Sequence, residues 1–498
     1  MKIGISQNEH RRRRRALLEA IGPDGALIIP AATEMLRNRD VHYPFRQNSD
    51  FLWLTGFPEP DAVAVLAPKH KEGDYVLFVR PKNPEREQWD GRRFGTEGAL
   101  ERFGAKAAHP LSDIDEKLPE LLASRRRLCY PFGQDDAFDL RVMHWLRAVR
   151  AQARKGVSAP AELVDSGELL HEARLRKSEA ERNIMREAAR ISAAAHRALM
   201  TGCCPGMSEQ QLESLFLHSC AEQRAREQAY PPIVAGGANA CILHYVENHA
   251  RLKDGDLVLI DAGCELLGYA SDITRTFPIN GRFNPAQREL YQLVLAAQRA
   301  AIAKARPGEP WNAPHEAALR VLTRGLVDLG FIEGTRKNVR QLIKDEKYKP
   351  FYMHRTGHWL GLDVHDVGAY KRGGDWRTLE PGMTLTIEPG LYVAPDAEVP
   401  ERYRGIGIRI EDDVLITDTG AEILSRDVPK DPDEIEALMR KPSTGASRAS
   451  RGATGIRNKS GPINSNLNSS LGSNNDPHSH HSRAPAGSAN SPRRRRTA

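Results

Sequence analysis

The sequence lacks any long hydrophobic run and any dense set of cysteines. No stretch of eighteen apolar residues occurs, and the longest apolar segment, around Leu257 to Ile260, has the length of one strand, so we expect no membrane span. The segment Met1 to Arg15 is polar and ends in five arginines, unlike a signal peptide. The six cysteines show no CxxC spacing, which indicates reduced thiols and predicts a cytoplasmic location.

Several common catalytic motifs are absent as well. His171-Glu172 and His315-Glu316 are each followed by leucine where HExxH needs its second histidine, so this zinc motif is excluded. The sequence contains no P-loop, no GxSxG and no complete GxGxxG, which argues against nucleotide binding and serine hydrolysis through these motifs.

The positive charge is confined to the carboxyl-terminal segment. Residues 441–498 hold ten Lys or Arg and one acid, a net charge of +9, so the total of +7 leaves −2 for residues 1–440. A nucleic-acid-binding body would carry a basic face, so we expect no nucleic-acid partner. Residues 441–498 are rich in Ser, Asn and Gly and are predicted to be a disordered, basic, low-complexity tail.

The remaining chain divides into two predicted domains. Residues 1–174 alternate short apolar runs with helix-compatible stretches, which predicts an α/β domain. Ser178 and Glu181 form a capping box that opens an Ala-rich helix, so a second domain is predicted over residues 175–440. Two further helix starts are predicted at Ser208 and at Asn284, the latter helix stopping at Pro307-Gly308.

An internal repeat marks the second domain. The segment DGDLVLIDAG, residues 254–263, has a counterpart in PGMTLTIEPG, residues 381–390, at an offset of 127. In each copy a short apolar run typical of a buried strand ends in a carboxylate, Asp261 or Glu388, followed by x-Gly. Each copy is also preceded by a histidine in an apolar setting, His244 or His365. We interpret the repeat as an ancestral duplication whose half-sites face each other.

Further carboxylates and histidines accompany the repeat. Asp272 follows Asp261 across a turn predicted at Gly268, and Glu411 lies in the strand-like IGIRIEDDVLI. Buried carboxylates are costly unless a cation pairs with them, so the set predicts a metal site. The segment MHRTGHWLGLDVHD adds His354, His358 and His365, and its glycines disfavour a helical histidine pair. Such oxygen-rich ligation suits two Mn, Co, Fe or Zn ions and predicts a two-metal hydrolase.

At these residues the sequence resembles the metallopeptidases of the pita-bread fold, and among them the aminopeptidase P family. The resemblance covers most of residues 175–425 and reaches into the first domain through YPFRQNSDFLWLTGF and QWDGRRFG. The matching stretches of the second domain are CILHYVEN, DGDLVLIDAGCE, GYASDITRTFP, HWLGLDVHDVG, LEPGMTLTIEPGLY and YRGIGIRIEDDV.

The resemblance implies an α+β pita-bread catalytic domain with a pseudo-twofold duplication and two divalent ions, Mn²⁺ first, with Co²⁺, Fe²⁺ or Zn²⁺ as alternatives. It implies that Asp261 binds one ion, that His358 and Glu388 bind the other, and that Asp272 and Glu411 bridge them. The implied substrates are peptides with proline in second position, and a homo-oligomer, a dimer or tetramer, is expected.

The resemblance also implies roles in catalysis and substrate binding. Glu388 would move the proton, while His244 and His365 would orient the substrate and His354 would line its proline side. Arg409 would hold the bridging ligands in place, and Trp89 and Tyr392 would close the pocket. Arg355 and Asp90 depart from the residues expected at their positions. A prolidase, a methionine aminopeptidase and a non-catalytic peptide-binding scaffold of the same fold stay open as alternatives.

Overall fold

The first part of the chain is built on a mixed sheet that is buried on both faces. In this computed structural model, which describes residues 3–440, the sheet has the order β6-β5-β4-β1-β7-β8, with β1 antiparallel to β4 and parallel to β7. Its strands are β1 (Gly25–Pro30), β4 (Val63–Leu66), β5 (Tyr75–Val79), β6 (Ala107–Pro110), β7 (Arg127–Tyr130) and β8 (Glu162–Asp165), beside a hairpin of β2 (Leu36–Asn38) and β3 (Val41–His42).

Helices cover both faces of this sheet. The helices of this part are α1 (Gln7–Ile21), α2 (Ser49–Thr55), α3 (Pro84–Asp90), α4 (Gly95–Phe103), α5 (Ile114–Leu122), α6 (Asp136–Arg150) and α7 (Gly167–Leu175). Of these, α3 buries no residue and does not contribute to the core. Successive strand residues point to opposite faces, and in β1 Leu27 and Ile29 join one apolar cluster while Ala26 and Ile28 join another. The predicted α/β character is confirmed, whereas the boundary at residue 174 stays a prediction.

The second part combines long helices with short antiparallel sheets. Its helices are α8 (Glu179–Gly202), α9 (Glu209–Glu222), α10 (Pro285–Ile302), α11 (Ala313–Asp328), α12 (Val339–Lys344) and α13 (Pro432–Met439). Its strands are β9 (Glu227–Gln228), β10 (Ile233–Gly236), β11 (Leu257–Asp261), β12 (Cys264–Leu266), β13 (Tyr269–Ala270), β14 (Thr274–Pro278), β15 (Lys371–Arg372), β16 (Asp375–Trp376), β17 (Thr384–Ile387), β18 (Gly390–Val393), β19 (Ile406–Arg409), β20 (Asp412–Ile416) and β21 (Ala421–Ile423).

Capping residues set the starts of three of these helices as predicted. The Ser178 amide donates to Glu181 Oε2 at 2.7 Å, and the Gln211 and Gln287 amides donate to the side chains of Ser208 and Asn284. Helix α10 ends at Ile302, earlier than the predicted stop at 307–308. The proline ring at 307 would clash with the carbonyl four residues before it, so the helix ends ahead of that carbonyl.

The two copies of the repeat form matching strand pairs. Strand β11 pairs antiparallel with β10 and β14, and β17 pairs antiparallel with β20. The described part of the chain belongs to one compact unit, and Trp53 of the first part shares an apolar cluster with Ile184 and Leu415 of the second. None of the helices within residues 3–440 is both long and apolar enough to cross a bilayer. The predicted tail, 441–498, lies outside the described residues.

Candidate metal centre and active-site cavity

Each copy of the repeat places two carboxylates at one end of a strand pair. Asp261 ends β11 and pairs with Thr274 of β14, and Asp272 precedes that strand by two residues. Glu388 directly follows β17, while Glu411 directly precedes β20, its antiparallel partner. The backbone amide of Glu411 donates to the Thr274 carbonyl at 3.1 Å. This bond joins the two half-sites, so all four carboxylates face one cavity.

His358 reaches the carboxylates from an irregular segment held against β17. Its amide donates to Thr386 Oγ1 at 3.1 Å, and the Thr386 amide donates to the His358 carbonyl at 2.9 Å. The imidazole Nε2 lies 3.4 Å from Asp272 Oδ2 and 3.7 Å from Glu388 Oε1. The segment is not helical, as its glycines predicted.

The cavity that these residues line has a volume of about 420 Å³, a size typical of small-ligand sites. Of the predicted site residues, all but Trp89 and Tyr392 line this cavity. The lining residues among them are Asp261, Asp272, His358, Glu388, Glu411, His244, His354, His365 and Arg409. Tyr392 lies directly behind the wall, where its hydroxyl contacts His354 Nε2 at 2.8 Å and accepts from Arg409 at 2.9 Å.

Arg409 connects the half-sites. Its guanidinium donates to Asp261 Oδ2 at 2.7 Å and, through Nε, to Thr274 Oγ1 at 3.2 Å. Thr274 in turn donates to Glu411 Oε2 at 2.6 Å. Arg409 therefore orients a carboxylate from the first half-site directly and one from the second through a hydroxyl.

His244 and His365 differ from their predicted apolar setting. Both side chains are exposed, although apolar neighbours of theirs, Leu243, Val246 and Val364, line the same cavity. The apolar residues around the histidines thus form the mouth of a binding site rather than a sealed core. The His365 ring lies edge-on to His358, with centroids 4.4 Å apart.

Trp89 does not close the cavity of its own chain. It lies on α3, which has no buried residue, and it is 85 % exposed. The expectation that Trp89 closes the pocket is therefore not met within a single chain, because α3 lies on the surface of the first domain.

Three residues of the site were not predicted from the sequence: Tyr230, Asp413 and Thr274. Tyr230 donates its hydroxyl to Asp261 Oδ1 at 2.6 Å and contacts Asp272 Oδ1 at 2.5 Å. Asp413 accepts from the Asp272 amide at 3.1 Å, and Thr274 acts as described above. Tyr230 precedes Pro231-Pro232, a break that could have pointed to a loop beside the site.

The site holds more negative than positive charge. Burial, together with the charges of Asp272 and Asp261, raises the pKa of Glu388 to about 7. Burial and the same neighbours raise the pKa of Glu411 well above its usual range. The pKa of His358 rises to about 9: burial opposes the rise, and the hydrogen bond to Asp272 and the charge of Glu388 outweigh it.

Bound cations would balance this excess of negative charge. Asp272, His358 and Glu411 can each offer one ligand atom within 4.8 Å of the other two. Asp261 and Glu388 line the same cavity and supply further oxygen ligands. A donor set of four carboxylates and one imidazole suits divalent ions of the Mn, Co, Fe or Zn type, and it is large enough for two.

Both parts of the chain match models of known protein families. Residues 183–418 match metallopeptidase family M24, and residues 10–130 match the aminopeptidase P N-terminal domain. Xaa-Pro aminopeptidase of Escherichia coli strain K12 is 48 % identical over 436 residues, covering 87 % of this chain and 98 % of that protein. Xaa-Pro aminopeptidase 3 of Homo sapiens is 36 % identical, covering 88 % of this chain and 87 % of that protein.

Solved structures agree as well. Pseudomonas aeruginosa aminopeptidase PepP superposes with a TM-score of 0.86 at 53 % identity, covering 88 % of this chain and 99 % of that one. Zinc-substituted E. coli aminopeptidase P in complex with product has a TM-score of 0.84 at 47 % identity, covering 87 % and 98 %. The fold expected from the sequence is thereby confirmed.

Proposed function

Because the chain belongs to metallopeptidase family M24, among its aminopeptidase P members, we propose that it releases the first residue of peptides that carry proline in second position. The observation that carries this proposal is the convergence of Asp261, Asp272, His358, Glu388 and Glu411 in one cavity with three further histidines. The similarity to Xaa-Pro aminopeptidases extends over both domains, which supports this substrate class.

We propose two divalent ions as cofactors, with Mn²⁺ first and Co²⁺, Fe²⁺ or Zn²⁺ as alternatives. Asp261 would bind one ion, His358 and Glu388 the other, and Asp272 and Glu411 both. When bound, such ions activate a water and polarise the scissile carbonyl.

Glu388 is the proposed proton carrier. A carboxylate positioned beside the scissile bond can accept a proton from one atom and return it to another, and Glu388 lines the active-site cavity with the other proposed ligands. Glu388 takes a proton from the attacking water and delivers it to the proline nitrogen as that nitrogen leaves. Thr386 Oγ1, 3.4 Å from Glu388 Oε1, helps to hold the carboxylate in place.

The remaining residues bind and orient the substrate. His244 and His365, both exposed at the cavity mouth, position the scissile carbonyl and stabilise the tetrahedral intermediate. His354 lines the proline side; burial, then the charge of Arg409, lowers its pKa to about 3, so its imidazole is neutral at physiological pH. Tyr392 supports it through their 2.8 Å contact.

We also propose a homo-oligomer, a dimer or tetramer, working on peptides in the cytoplasm without a nucleic-acid or membrane partner. Trp89 matches a position that closes the substrate pocket in the related family, yet it lies outside the cavity of its own chain. A neighbouring copy would bring such a tryptophan to the cavity, and this supports the oligomer.

A substrate panel tests the proposed specificity. The Mn²⁺-loaded protein is assayed on a Xaa-Pro-Xaa tripeptide, a Xaa-Pro dipeptide, a Met-Ala tripeptide and a Xaa-Ala tripeptide, and only the first is expected to be cleaved rapidly. The bond to proline is a tertiary amide without N-H, so a site shaped around the proline ring accepts it. Preference for the dipeptide would indicate a prolidase, faster cleavage of Met-Ala a methionine aminopeptidase, and no cleavage with metals bound a scaffold.

Removal of a bridging carboxylate tests the metal assignment. We expect Asp272→Ala and Glu411→Ala to lose nearly all turnover and to bind both ions weakly, because each carboxylate offsets the repulsion between two close cations. Asp418→Ala, at an exposed acid in the turn after β20, is the matched control. Two tightly bound ions and near-normal turnover in Glu411→Ala would contradict the bridging assignment.

A further inference from the structure

A second cavity, of about 510 Å³, adjoins the active-site cavity. The two cavities share four lining residues, Arg355, Gly357, His358 and His365. The rest of the second cavity consists of Trp311, Tyr370, Lys371 and Trp376. A ligand held at His358 and His365 can therefore extend from the first cavity into the second, between aromatic walls.

Arg355 is fixed at the junction of the two cavities. Its guanidinium carbon lies 5.3 Å from the ring centroid of Trp311 and 4.9 Å from that of Trp376, distances typical of cation-π contacts. Its Nη2 also donates to the amide oxygen of Asn312. These contacts hold the guanidinium in one place without neutralising its charge.

The second cavity has positive charge and no acid to balance it. The Lys371 ammonium lies 4.5 Å from the Trp376 ring centroid, on the same tryptophan as Arg355. Throughout residues 3–440, no carboxylate lies within ion-pair distance of either Arg355 or Lys371, and none of the residues that line this cavity is acidic. Most other arginines of the site region, such as Arg377 and Arg409, are paired with carboxylates.

We propose that this second cavity, the downstream subsite, binds the carboxylate of a substrate residue beyond the proline, with Arg355 as its main ligand. The inference rests on the proposed aminopeptidase function. An aminopeptidase substrate ends upstream in an ammonium group, so its backbone carries a carboxylate only downstream. In a Xaa-Pro-Xaa tripeptide that carboxylate belongs to the third residue, whose side chain contacts the aromatic walls.

The chemistry of the downstream subsite suits this ligand. An arginine fork matches the two oxygens of a carboxylate, and a guanidinium already held by two rings and an amide loses little freedom on binding. Lys371 adds charge without directional geometry. The subsite therefore favours short peptides with a free carboxyl terminus.

The test compares a Xaa-Pro-Leu tripeptide with its carboxyl-terminal amide. In the Mn²⁺-loaded wild type, the amide is expected to raise KM about tenfold with little change in kcat, since a charge-assisted hydrogen bond to the ground state is lost. In Arg355→Gln the acid and the amide are expected to have nearly equal KM values. Arg320→Gln, an exposed arginine of α11 outside both cavities, keeps the wild-type ratio.

Binding without turnover provides an independent measurement. Calorimetry of the product dipeptide Pro-Leu and of Pro-Leu amide is expected to show the same tenfold preference for the acid, which Arg355→Gln abolishes and Lys371→Gln reduces. Arg355 is exposed, so its replacement leaves the melting temperature nearly unchanged.

The outcomes separate this inference from the proposed function. Cleavage of the acid and the amide with equal KM by the wild type would overturn the downstream subsite and leave the aminopeptidase intact. A preference for the acid that persists in Arg355→Gln, or an Arg355→Gln effect limited to peptides with an acidic first residue, would also overturn it. Failure of the wild type to cleave either peptide would instead contradict the proposed function.

Discussion

Tyr230 illustrates what a single residue contributes to the site. Its hydroxyl lies between Asp261 and Asp272, at 2.6 Å and 2.5 Å. Burial and these two carboxylates raise the pKa of Tyr230 well above its usual range, so the phenol keeps its proton and acts as a donor. Hydrogen bonds of this kind orient metal ligands from outside the coordination sphere.

Replacement of Tyr230 by phenylalanine is expected to weaken Mn²⁺ binding about tenfold, because the two carboxylates lose their shared donor. Titration calorimetry of the metal-free protein measures this effect. Tyr269→Phe is the matched control, since that buried tyrosine donates at 2.8 Å to Glu181, which is not one of the proposed ligands. Equal Mn²⁺ affinity in the two variants would argue against an orienting role for Tyr230.

At the scale of secondary-structure elements, glycines let the site segments approach each other. A Cβ on Gly263 would lie 1.7 Å from the Ser271 carbonyl oxygen, and a Cβ on Gly357 would lie 2.0 Å from that of Thr386. The first approach brings the end of β11 against the chain before β14, and the second brings the His358 segment against β17. In the first copy of the repeat, therefore, the glycine after Asp261 is needed because the backbone of Ser271 lies too close to Gly263 for any side chain.

Gly263→Ala is expected to lower the free energy of unfolding by about 1 to 3 kcal/mol through overpacking and to reduce turnover and metal content, because Asp261 and Asp272 move apart. Chemical denaturation and metal analysis measure these effects. Gly420→Ala, where a Cβ meets no atom within 4 Å, serves as control. A Gly263→Ala protein with full metal content and turnover would show that the close approach is dispensable.

At the scale of the whole molecule, an ion network joins the two parts of the chain. Arg174, which is 3 % exposed, donates to Asp50 of the first part at 2.7 Å and to Asp363 and Asp366 of the second at 2.7 and 2.6 Å. Asp366 directly follows His365 in the chain, so the same arginine holds the first domain and the loop that carries a site histidine.

Arg174→Met is expected to lower the free energy of unfolding by about 3 kcal/mol, because Asp50 and Asp366 lose the buried cation they share and keep only His171 and Lys177 as partners. Arg176→Met provides the control: that arginine pairs with Glu172 and Glu380 while its side chain is 41 % exposed, and such pairs contribute about 1 kcal/mol or less. Similar losses in both variants, measured by chemical denaturation, would refute the buried network as a main stabiliser.

Two buried histidines predict how stability depends on pH. Burial, then the charge of Arg13, lowers the pKa of His10 to about 4, and burial lowers that of His196 to about 4. Between pH 6.5 and 4 the unfolded chain binds protons at these histidines and the folded chain does not. The stability that these two histidines contribute therefore falls as pH drops through this window and is fully retained above it.

For His10 the loss between pH 7 and pH 5 amounts to roughly 2 kcal/mol. Denaturation of metal-free protein at the two pH values is expected to show a smaller difference in His10→Gln than in the wild type. An unchanged pH dependence in the variant would contradict a neutral, buried His10.

Most of the candidate site residues could be predicted from the sequence because the patterns that indicate them are local or repeated. Capping boxes such as Ser178 with Glu181 depend on residues three apart, and the copies ending in Asp261 and Glu388 are legible side by side. Tyr230 and Asp413 escaped notice because their roles depend on contacts with Asp272, which come from distant or differently folded segments.

By itself, therefore, the sequence determined the helix starts, the buried strands of the repeat and the acids at the strand ends, since these follow from capping and from periodic burial. Only the tertiary structure decided which side chains meet: it placed Tyr230 between two acids, Trp89 outside its own cavity and Arg355 over two tryptophans. Such contacts join residues far apart in the chain, and which of them form depends on how the strands pair and the helices pack, which no local pattern encodes.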